Sequence, residues 1–285
     1  MIPATFEYCA PHSIGEAVDF LAAHRDDVKI LAGGQSLLPL MKMRLAKPGY
    51  LVDIGRIPGL DTIIEDGNNI VIGAMTTHTQ IEFSDLLKSR CPLLSQTAAT
   101  IADVQVRNRG TIGGSLAHAD PAGDVPAAVL ALDAEIKAVG PNGERWIKVG
   151  DFFLGLLMSV LEPDELVTAI KVPATDGEKT AYLKAAPRSS GFAVVGVAVR
   201  MTVDPSGACA AIALGITGVT DKAYRADRVE KMLMGKRLDS KLIEQAAAES
   251  TRNIDVIEDV NGSSEYRTHL THVYVVRAIQ AALQG

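Results

Sequence analysis

The segment Leu31-Ala32-Gly33-Gly34-Gln35-Ser36 decides how this chain is interpreted, and Thr111-Ile112-Gly113-Gly114-Ser115 repeats its pattern further along. In each segment an apolar residue leads into a Gly-Gly pair, and polar side chains follow. Glycine permits a positive φ and lets another molecule approach the backbone closely. Successive backbone N–H groups in such a turn can point inward and bind an anion. Both segments therefore predict loops that hold a phosphate-containing ligand, with ordinary turns as the alternative.

Hydroxyl side chains add possible donors to both loops. Ser36, Thr111 and Ser115 each carry a hydroxyl group that suits a phosphate oxygen. Neither segment has the lysine of the P-loop or the G-x-G-x-x-G spacing of the dinucleotide fingerprint. The residues alone therefore indicate a nucleotide or another phosphate-containing cofactor, without identifying it.

The composition indicates a folded protein of one or two domains. The chain has 285 residues, of which 47% are hydrophobic, and one domain usually takes roughly 100 to 200 residues. The formal net charge of -6 argues against nucleic-acid binding, because that function needs a basic face. The sequence contains no recognisable secretory signal and no apolar run long enough for a membrane span. We therefore expect a cytoplasmic protein without membrane insertion.

The three cysteines of the chain are widely separated. Cys9, Cys91 and Cys209 do not form the clustered motif that an iron–sulfur centre needs. In a cytoplasmic protein they are expected to be reduced thiols. The chain therefore carries no predicted metal site of its own.

The pattern of apolar residues predicts an α+β protein. Hairpin turns are predicted at Asp66-Gly67 and at Pro141-Asn142-Gly143, because Asp, Asn and Gly tolerate the backbone conformation of tight turns. Helical periodicity over 79–102 is interrupted at Pro92, and 125–133 has the composition of another helix with Asp124 placed to cap it. By contrast, 110–115 and 120–126 have the character of loops.

A change of pattern near residues 174–179 predicts a domain boundary. Three strands are expected after it, at 180–185, 193–203 and 208–218. The chain is then helical, over 227–234, 240–254 and 266–283. Strands followed by helices are typical of an antiparallel sheet backed by a small helical bundle.

Further motifs follow each Gly-Gly pair. Ala32-Gly33-Gly34-Gln35-Ser36-Leu37-Leu38-Pro39 precedes Arg44-Leu45-Ala46-Lys47-Pro48 and Leu51-Val52-Asp53-Ile54. Arg107-Asn108-Arg109-Gly110-Thr111-Ile112-Gly113-Gly114-Ser115 precedes Asp120-Pro121-Ala122-Gly123-Asp124-Val125-Pro126. In this order they resemble, almost from end to end, the FAD-binding medium subunit of the molybdenum hydroxylases. This is the family of xanthine dehydrogenase and aerobic carbon monoxide dehydrogenase, and the resemblance is greatest to the carbon monoxide dehydrogenase type.

The resemblance implies an α+β fold in two domains. Residues 1–176 are expected to form an FAD-binding PCMH-type domain, similar to vanillyl-alcohol oxidase, with subdomains at about 1–58 and 59–176. Residues 177–285 are expected to form a domain like the C-terminal domain of the carbon monoxide dehydrogenase flavoprotein. That domain would combine an antiparallel three-stranded sheet with a three-helix bundle.

The resemblance also implies which residues bind FAD. The first loop would wrap the pyrophosphate, the second would contact the flavin side, and three separate residues would add contacts. Ser115 stands where many relatives have Asn. From the residues alone, Asp124 could instead cap a helix, and Lys184 could be a solvated strand residue. The implied set is Ala32, Gly33, Gly34, Gln35, Ser36, Leu37, Ile101, Thr111, Ile112, Gly113, Gly114, Ser115, Asp124 and Lys184.

For function, the resemblance implies an electron relay. A large partner subunit would carry molybdopterin and oxidise the substrate, and a small partner would carry two [2Fe–2S] clusters. Electrons would pass through the FAD of this chain to an external acceptor, in a complex that is a dimer of heterotrimers. No residue of this chain is expected to act as a catalytic acid or base. The alternatives are a stand-alone flavin oxidase and a scaffold subunit that has lost its flavin.

The sequence leaves the roles of four residues open, together with the substrate and the final electron acceptor. Arg107 and Arg109 could bind phosphate, pair with Asp residues in an interface with a partner, or face solvent. His118 follows the second Gly-Gly pair closely enough for a place near the flavin. Phe192 could cover the flavin ring or begin a buried strand, and we expect the strand.

Overall fold

A small parallel sheet forms the first unit of the computed structural model, which describes residues 2–187 and 191–285. Strands β1 (Glu7–Cys9) and β2 (Val28–Leu31) both pair in parallel with the central β3 (Tyr50–Asp53). Helix α1 (Ile14–Ala23) connects β1 to β2, and α2 (Leu37–Lys42) connects β2 to β3. This arrangement places the first Gly-Gly pair in the turn between β2 and α2.

The sequence Ser13-Ile14-Gly15-Glu16 has the spacing of a helix-capping box, and helix α1 begins there. The hydroxyl oxygen of Ser13 accepts a hydrogen bond from the backbone N–H of Glu16 and so caps the helix. Ala17 and Leu21 of α1 are buried against Val52 of the sheet. The burial of this apolar face fixes the helix on the sheet.

The second unit is a five-stranded antiparallel sheet. Its strands stand in the order β4-β5-β10-β6-β7. Both predicted hairpins are confirmed, because Gly67 and Gly143 occupy the turns with φ of 62° and 107°. The strands are β4 (Ile63–Asp66), β5 (Asn69–Gly73), β6 (Glu135–Gly140), β7 (Gly143–Lys148) and β10 (Leu166–Pro173).

Six helices lie between β5 and β6 in the chain. The predicted interruption at Pro92 is confirmed, because one helix ends at Arg90 and the next begins at Pro92. A short hairpin of β8 (Phe153–Gly155) and β9 (Met158–Ser159), which the sequence did not predict, precedes β10. The helices are α3 (His78–Phe83), α4 (Asp85–Arg90), α5 (Pro92–Ala99), α6 (Val104–Arg107), α7 (Ile112–His118) and α8 (Asp124–Ala131).

The third unit has an antiparallel sheet in the order β11-β12-β13-β14. The predicted three strands are present, and the short β14 adds a fourth at the edge. The three helices follow as predicted, although the second ends at Ala247, before the expected residue 254. The elements are β11 (Lys179–Ala185), β12 (Val195–Val203), β13 (Cys209–Thr217), β14 (Tyr224–Arg225), α9 (Asp227–Leu233), α10 (Ser240–Ala247) and α11 (Ser264–Gln284).

Helix α8 joins the second unit to the third. All eight of its residues are buried. On one side the helix packs directly on β13, since a Cβ on Gly215 would lie 1.9 Å from the carbonyl oxygen of Ala127. The helix therefore fixes its own first residue, Asp124, close to the third sheet.

Among the described residues, no helix has the length and apolar character needed to cross a lipid bilayer. The longest helix, α11, alternates buried residues such as Val275 and Ile279 with exposed ones such as Arg277. Its buried face covers the third sheet, which explains its apolar content.

Candidate functional site

The first Gly-Gly pair makes the tight turn between β2 and α2. Gly34 has a φ of 72°. This backbone conformation is strained for residues that carry a side chain. Gly33 is needed for a different reason: a Cβ there would lie 2.1 Å from the carbonyl oxygen of Arg109. Both glycines are therefore required, one by its backbone angle and one by close packing.

This turn exposes a set of unused hydrogen-bond donors. Within the described part of the chain, the backbone N–H groups of Gly33, Gly34, Gln35 and Ser36 donate to no acceptor. The Ser36 hydroxyl precedes α2 without capping it. Four neighbouring N–H groups and one hydroxyl without partners form a donor set of the kind that binds oxyanions. Donors of this kind suit the phosphates of FAD, the cofactor that the sequence resemblance implies.

The second Gly-Gly pair corrects the prediction of a loop, because it lies in the first turn of α7. Thr111 is the residue that caps this helix, and its hydroxyl oxygen accepts from the N–H of Gly114 at 3.2 Å. The N–H groups of Ile112 and Gly113 donate to the carbonyl oxygens of Thr76 and Ala74. These donors are already used, so they do not form a second anion-binding turn.

The sequence missed α7 because two adjacent glycines usually oppose a helix. Here Gly113 meets a packing requirement, since a Cβ would lie 2.5 Å from the Cβ of Ala74. Thr111, Ile112 and Gly113 are buried, whereas Gly114 and Ser115 remain partly exposed. Only the last two positions of this segment therefore offer surface to a ligand.

The fold brings the two Gly-Gly pairs together. Gly33 contacts the backbone of Arg109 and Gly110, immediately before the second pair. A Cβ on Gly114 would lie 3.6 Å from the Cβ of Ala32. The free donors of the first turn and the partly exposed start of α7 therefore belong to one continuous surface.

A buried ion pair forms the second cluster of predicted residues. Asp124 is 6% exposed and is the first residue of α8. One carboxylate oxygen accepts from the Tyr182 hydroxyl at 2.5 Å, and the other accepts from Nζ of Lys184 at 3.0 Å. The helix-capping alternative is wrong, because Gly123 occupies the capping position and the Asp124 carboxylate points to β11 partners instead.

Lys184 is buried as well, so the solvated alternative is also wrong. Its side chain is only 9% exposed. Besides Asp124, its Nζ donates to the carbonyl oxygen of Gly191 at 2.6 Å. Tyr182 and Lys184 are two apart on β11 and so share a face of the strand. The two-residue spacing is visible in the sequence, but only the fold shows that both side chains face Asp124.

Burial sets the protonation of this cluster. Burial raises the pKa of Asp124 above its ordinary value, while the Lys184 charge and the Tyr182 hydrogen bond act in the opposite direction. The pKa of Tyr182 is well above its usual value because of burial and the neighbouring Asp124 charge. Tyr182 therefore stays a neutral donor to the Asp124 carboxyl group.

Ile101 lies beside this cluster. It is partly buried against the core of the second unit. The next residue, Ala102, contacts Gly191, since a Cβ on Gly191 would lie 2.9 Å from the Ala102 Cα. Because the Gly191 carbonyl accepts from Lys184, Ile101, Asp124 and Lys184 belong to one neighbourhood.

The structure gives partners to several residues that the sequence left open. Arg107 forms an ion pair with Glu82 at 2.8 Å, so its side chain has its partner within the chain. The backbone of Arg109 packs against Gly33. The imidazole of His118 is 3.9 Å from the Asp120 carboxylate.

The expectation that Phe192 begins a buried strand is wrong. Strand β12 starts at Val195, and Phe192 is 52% exposed. Phe192 lines a cavity of about 200 Å³ together with Asp120 and Leu156. Ser189 and Ser190, which precede Gly191, lie outside the described residues.

His78 is a buried residue near the site whose role the sequence did not reveal. Its imidazole is 4% exposed and packs against Gly110, which has space for it only because it lacks a Cβ. Burial, and next the positive charge of Arg107, lower the His78 pKa to about 4. Its Nδ1 has no hydrogen-bond partner among the described residues. His78 is therefore a neutral packing element under the second Gly-Gly segment.

Comparison with known protein families divides the chain into two matched regions. The model described as FAD binding domain in molybdopterin dehydrogenase matches residues 4–175. The model described as CO dehydrogenase flavoprotein C-terminal domain matches residues 180–282. The first region contains both Gly-Gly segments and Asp124, and the second contains Lys184.

Individual relatives match over nearly their whole length. The carbon monoxide dehydrogenase medium chain of Hydrogenophaga pseudoflava is 42% identical over 99% of this chain and 98% of its own. The glyceraldehyde dehydrogenase medium chain of Sulfolobus acidocaldarius is 39% identical over 98% of this chain and 99% of its own. A solved structure of carbon monoxide dehydrogenase from Hydrogenophaga pseudoflava superimposes with a TM-score of 0.97 at 43% identity, covering 100% of this chain and 99% of that chain.

Proposed function

The chain belongs to the FAD-binding medium subunits of the molybdenum hydroxylase family, and we propose that its first Gly-Gly turn holds the pyrophosphate of FAD. The supporting observation is the set of unused donors in that turn. The N–H groups of Gly33, Gly34, Gln35 and Ser36 have no acceptor in the described part of the chain. Ala32 and Leu37 flank these donors and complete the proposed pyrophosphate segment.

The remaining predicted residues are proposed to act in two ways. Gly114 and Ser115 contact the cofactor directly, because they are the partly exposed residues of their segment. Thr111, Ile112 and Gly113 hold α7 in place through the cap and the contact with Ala74. The proposed contacts at the flavin end are Ile101, Asp124 and Lys184.

The chain is an oxidoreductase subunit whose own residues bind and orient the cofactor. Bound FAD supplies the electron-transfer chemistry. We propose that the [2Fe–2S] clusters of a small partner deliver the electrons, which leave to an external acceptor. A large partner with molybdopterin would oxidise the substrate. The medium subunit functions in a multi-subunit complex, for which we propose a dimer of heterotrimers.

The domain limits proposed are 1–176 and 177–285. Within the first domain, the parallel sheet ends at Asp53 and the five-stranded sheet begins at Ile63, which supports subdomains of about 1–58 and 59–176. The second sheet ends at Pro173 and the third begins at Lys179. The proposed boundary therefore falls in the segment between these two sheets.

FAD titration of the full-length chain and its loop variants tests the proposal. Gly34→Val removes the positive-φ glycine and is expected to abolish FAD retention, because a β-branched residue strains this turn. Gly150→Val is the matched control, because Gly150 has open space around its Cα. Equal FAD binding by both variants would contradict the proposed pyrophosphate site.

A further inference from the structure

Arg267 of α11 is a buried cation in the C-terminal domain. It is 2% exposed. Its Nη1 donates to the carbonyl oxygens of Val194 at 2.8 Å and of Gly218 at 2.5 Å, and its Nη2 pairs with Asp259. A single planar guanidinium therefore holds two backbone segments and one carboxylate together.

Gly218, one of the residues that Arg267 contacts, is also hydrogen-bonded to the turn that precedes Asp124. The N–H of Gly218 donates to the carbonyl oxygen of Pro121 at 2.7 Å. The neighbouring Thr217 hydroxyl lies 2.6 Å from the Pro121 oxygen and 2.8 Å from the Gly123 oxygen, so its proton is shared or alternates between them. Asp124 follows this turn directly, so the turn fixes the start of α8.

Val194, the other residue whose carbonyl group Arg267 contacts, belongs to a segment that is hydrogen-bonded to Lys184. Ala193, beside Val194, donates its N–H to the carbonyl oxygen of Ala122 at 3.2 Å. Gly191, in the same segment, accepts the hydrogen bond from Lys184. The segment from Gly191 to Val194 is thus tied to the buried lysine at one end and to Arg267 at the other.

The two segments are also packed directly on each other. Gly218 has a φ of 83°, and a Cβ there would lie 2.6 Å from the carbonyl oxygen of Val194. The backbone of Gly218 therefore packs directly against the Val194 carbonyl group, with no side chain between them. Buried carbonyl groups need a hydrogen-bond donor, and Nη1 of Arg267 supplies one to both Val194 and Gly218.

We propose that Arg267 is a positioning residue for the flavin end of the FAD site, acting through the Pro121–Gly123 turn and the Gly191–Val194 segment on Asp124 and Lys184. The proposal rests on the proposed function, in which Asp124 and Lys184 contact FAD. Lysine cannot replace the arginine fully, because an ammonium group lacks the planar fork that reaches both carbonyls and Asp259 at once. The C-terminal domain is thereby made part of the cofactor site.

The test compares FAD binding by the full-length chain and three variants. Arg267→Met removes all the contacts, Arg267→Lys keeps the charge, and Arg277→Met changes an exposed arginine on the same helix. Arg267→Met is expected to weaken FAD binding by on the order of tenfold, which corresponds to about 1.4 kcal/mol. Arg267→Lys should give a smaller loss, and Arg277→Met none. Visible circular dichroism of the bound flavin should change with Arg267→Met, because the ring environment changes.

A double-mutant comparison separates positioning from general stability. If Arg267 acts through the buried pair, Arg267→Met should weaken FAD binding much less in an Asp124→Asn background than in the wild-type chain. Equal losses in both backgrounds, or unchanged FAD binding by Arg267→Met, would overturn the proposal. If Arg267→Met does not fold, the same comparison with Arg267→Lys decides, and equal losses there would overturn it too.

The outcomes distinguish this proposal from the proposed function. If Asp124→Asn binds FAD as tightly as the wild-type chain, then the proposed flavin-end contact is wrong. If Asp124→Asn weakens binding and Arg267→Met does not, then only the positioning role is wrong. The free energy of unfolding of each FAD-free variant is measured in parallel. It shows how much of each decrease in FAD binding comes from a less stable fold.

Discussion

The backbone of Gly33 packs on the backbone of Arg109, at a point where a Cβ on Gly33 would lie 2.1 Å from the Arg109 carbonyl oxygen. The two residues belong to different structural units, one after β2 and the other before α7. Their contact joins the free N–H donors of the first turn to the partly exposed start of α7. The proposed FAD site depends on this junction.

Gly33→Ala tests the junction. The added methyl group cannot be accommodated without moving the Arg109 backbone, and overpacking of this kind costs about 1 to 3 kcal/mol. We expect a matching loss of unfolding free energy and weaker FAD binding in a fluorescence titration. Gly150→Ala, which adds the same group in open space, should change neither. A Gly33→Ala chain that binds FAD normally would show that the junction is not needed.

The buried pair of Asp124 and Lys184 should respond strongly to single substitutions. Lys184→Met leaves the Asp124 carboxyl group buried without its charged partner, and breaking a buried pair in this way costs about 3 to 5 kcal/mol. The Asp124→Asn/Lys184→Met double variant should lose less than the sum of the two single losses, because it leaves no unpaired charge.

Urea denaturation of the FAD-free chains measures these differences. Lys148→Met, on the exposed face of β7, is the matched control and should lose little stability. Additive losses in the double variant would contradict the assignment of a coupled pair.

His78 should make the fold sensitive to acid. Its pKa in the folded chain is about 4, below its ordinary value of 6.5, because of burial and the Arg107 charge. Below about pH 6.5 the unfolded chain takes up a proton that the folded chain does not, so stability falls as the pH drops toward 4. The expected contribution is about 3 kcal/mol across this range.

Denaturation at a series of pH values checks this dependence. His78→Gln should flatten the loss of stability between about pH 6.5 and 4, because glutamine does not titrate in this range. His12→Gln, at an exposed histidine, provides the control. An unchanged slope in His78→Gln would rule out His78 as the source.

The cysteines should differ in reactivity. Burial raises the pKa of Cys91 to about 12, and it also raises the pKa of Cys209. The thiolate is the reactive form, so neither should react with a thiol reagent in the folded chain at neutral pH. Cys9 is only partly buried and should be modified first. Mass spectrometry of the labelled peptides checks the order, and rapid labelling of Cys91 would contradict the described core.

Local patterns in the sequence were sufficient for much of the fold. The hairpins at Gly67 and Gly143 follow from turn residues between strand-like runs. The cap at Ser13 and the interruption at Pro92 follow from local hydrogen bonding and from the missing proline N–H. In each case the deciding residues are neighbours in the chain.

The errors occurred where distant residues decide the structure. Helix α7 contains two glycines that local propensity assigns to a loop, and only packing against Ala74 explains Gly113. Asp124 was expected as a possible cap because its partners, Tyr182 and Lys184, are far away in the sequence. Phe192 was expected in a strand because its neighbours are apolar, yet it lies outside β12.

The family could be recognised from the sequence because its motifs are contiguous. The Gly-Gly segments and the Asp120–Pro126 stretch carry the resemblance without any knowledge of contacts. Arg267 has no such motif around it, and its partners Val194 and Gly218 are brought to it by the third sheet. Positioning residues of this kind can be found only from the fold.

Measurement of the flavin content of the full-length chain tests the central claim most directly. The chain, purified and incubated with FAD, should retain one FAD per chain after gel filtration and show the visible absorbance of a protein-bound flavin. Gly34→Val should lose the flavin while keeping its helical circular dichroism. A folded wild-type chain that stays colourless at saturating FAD would contradict the account.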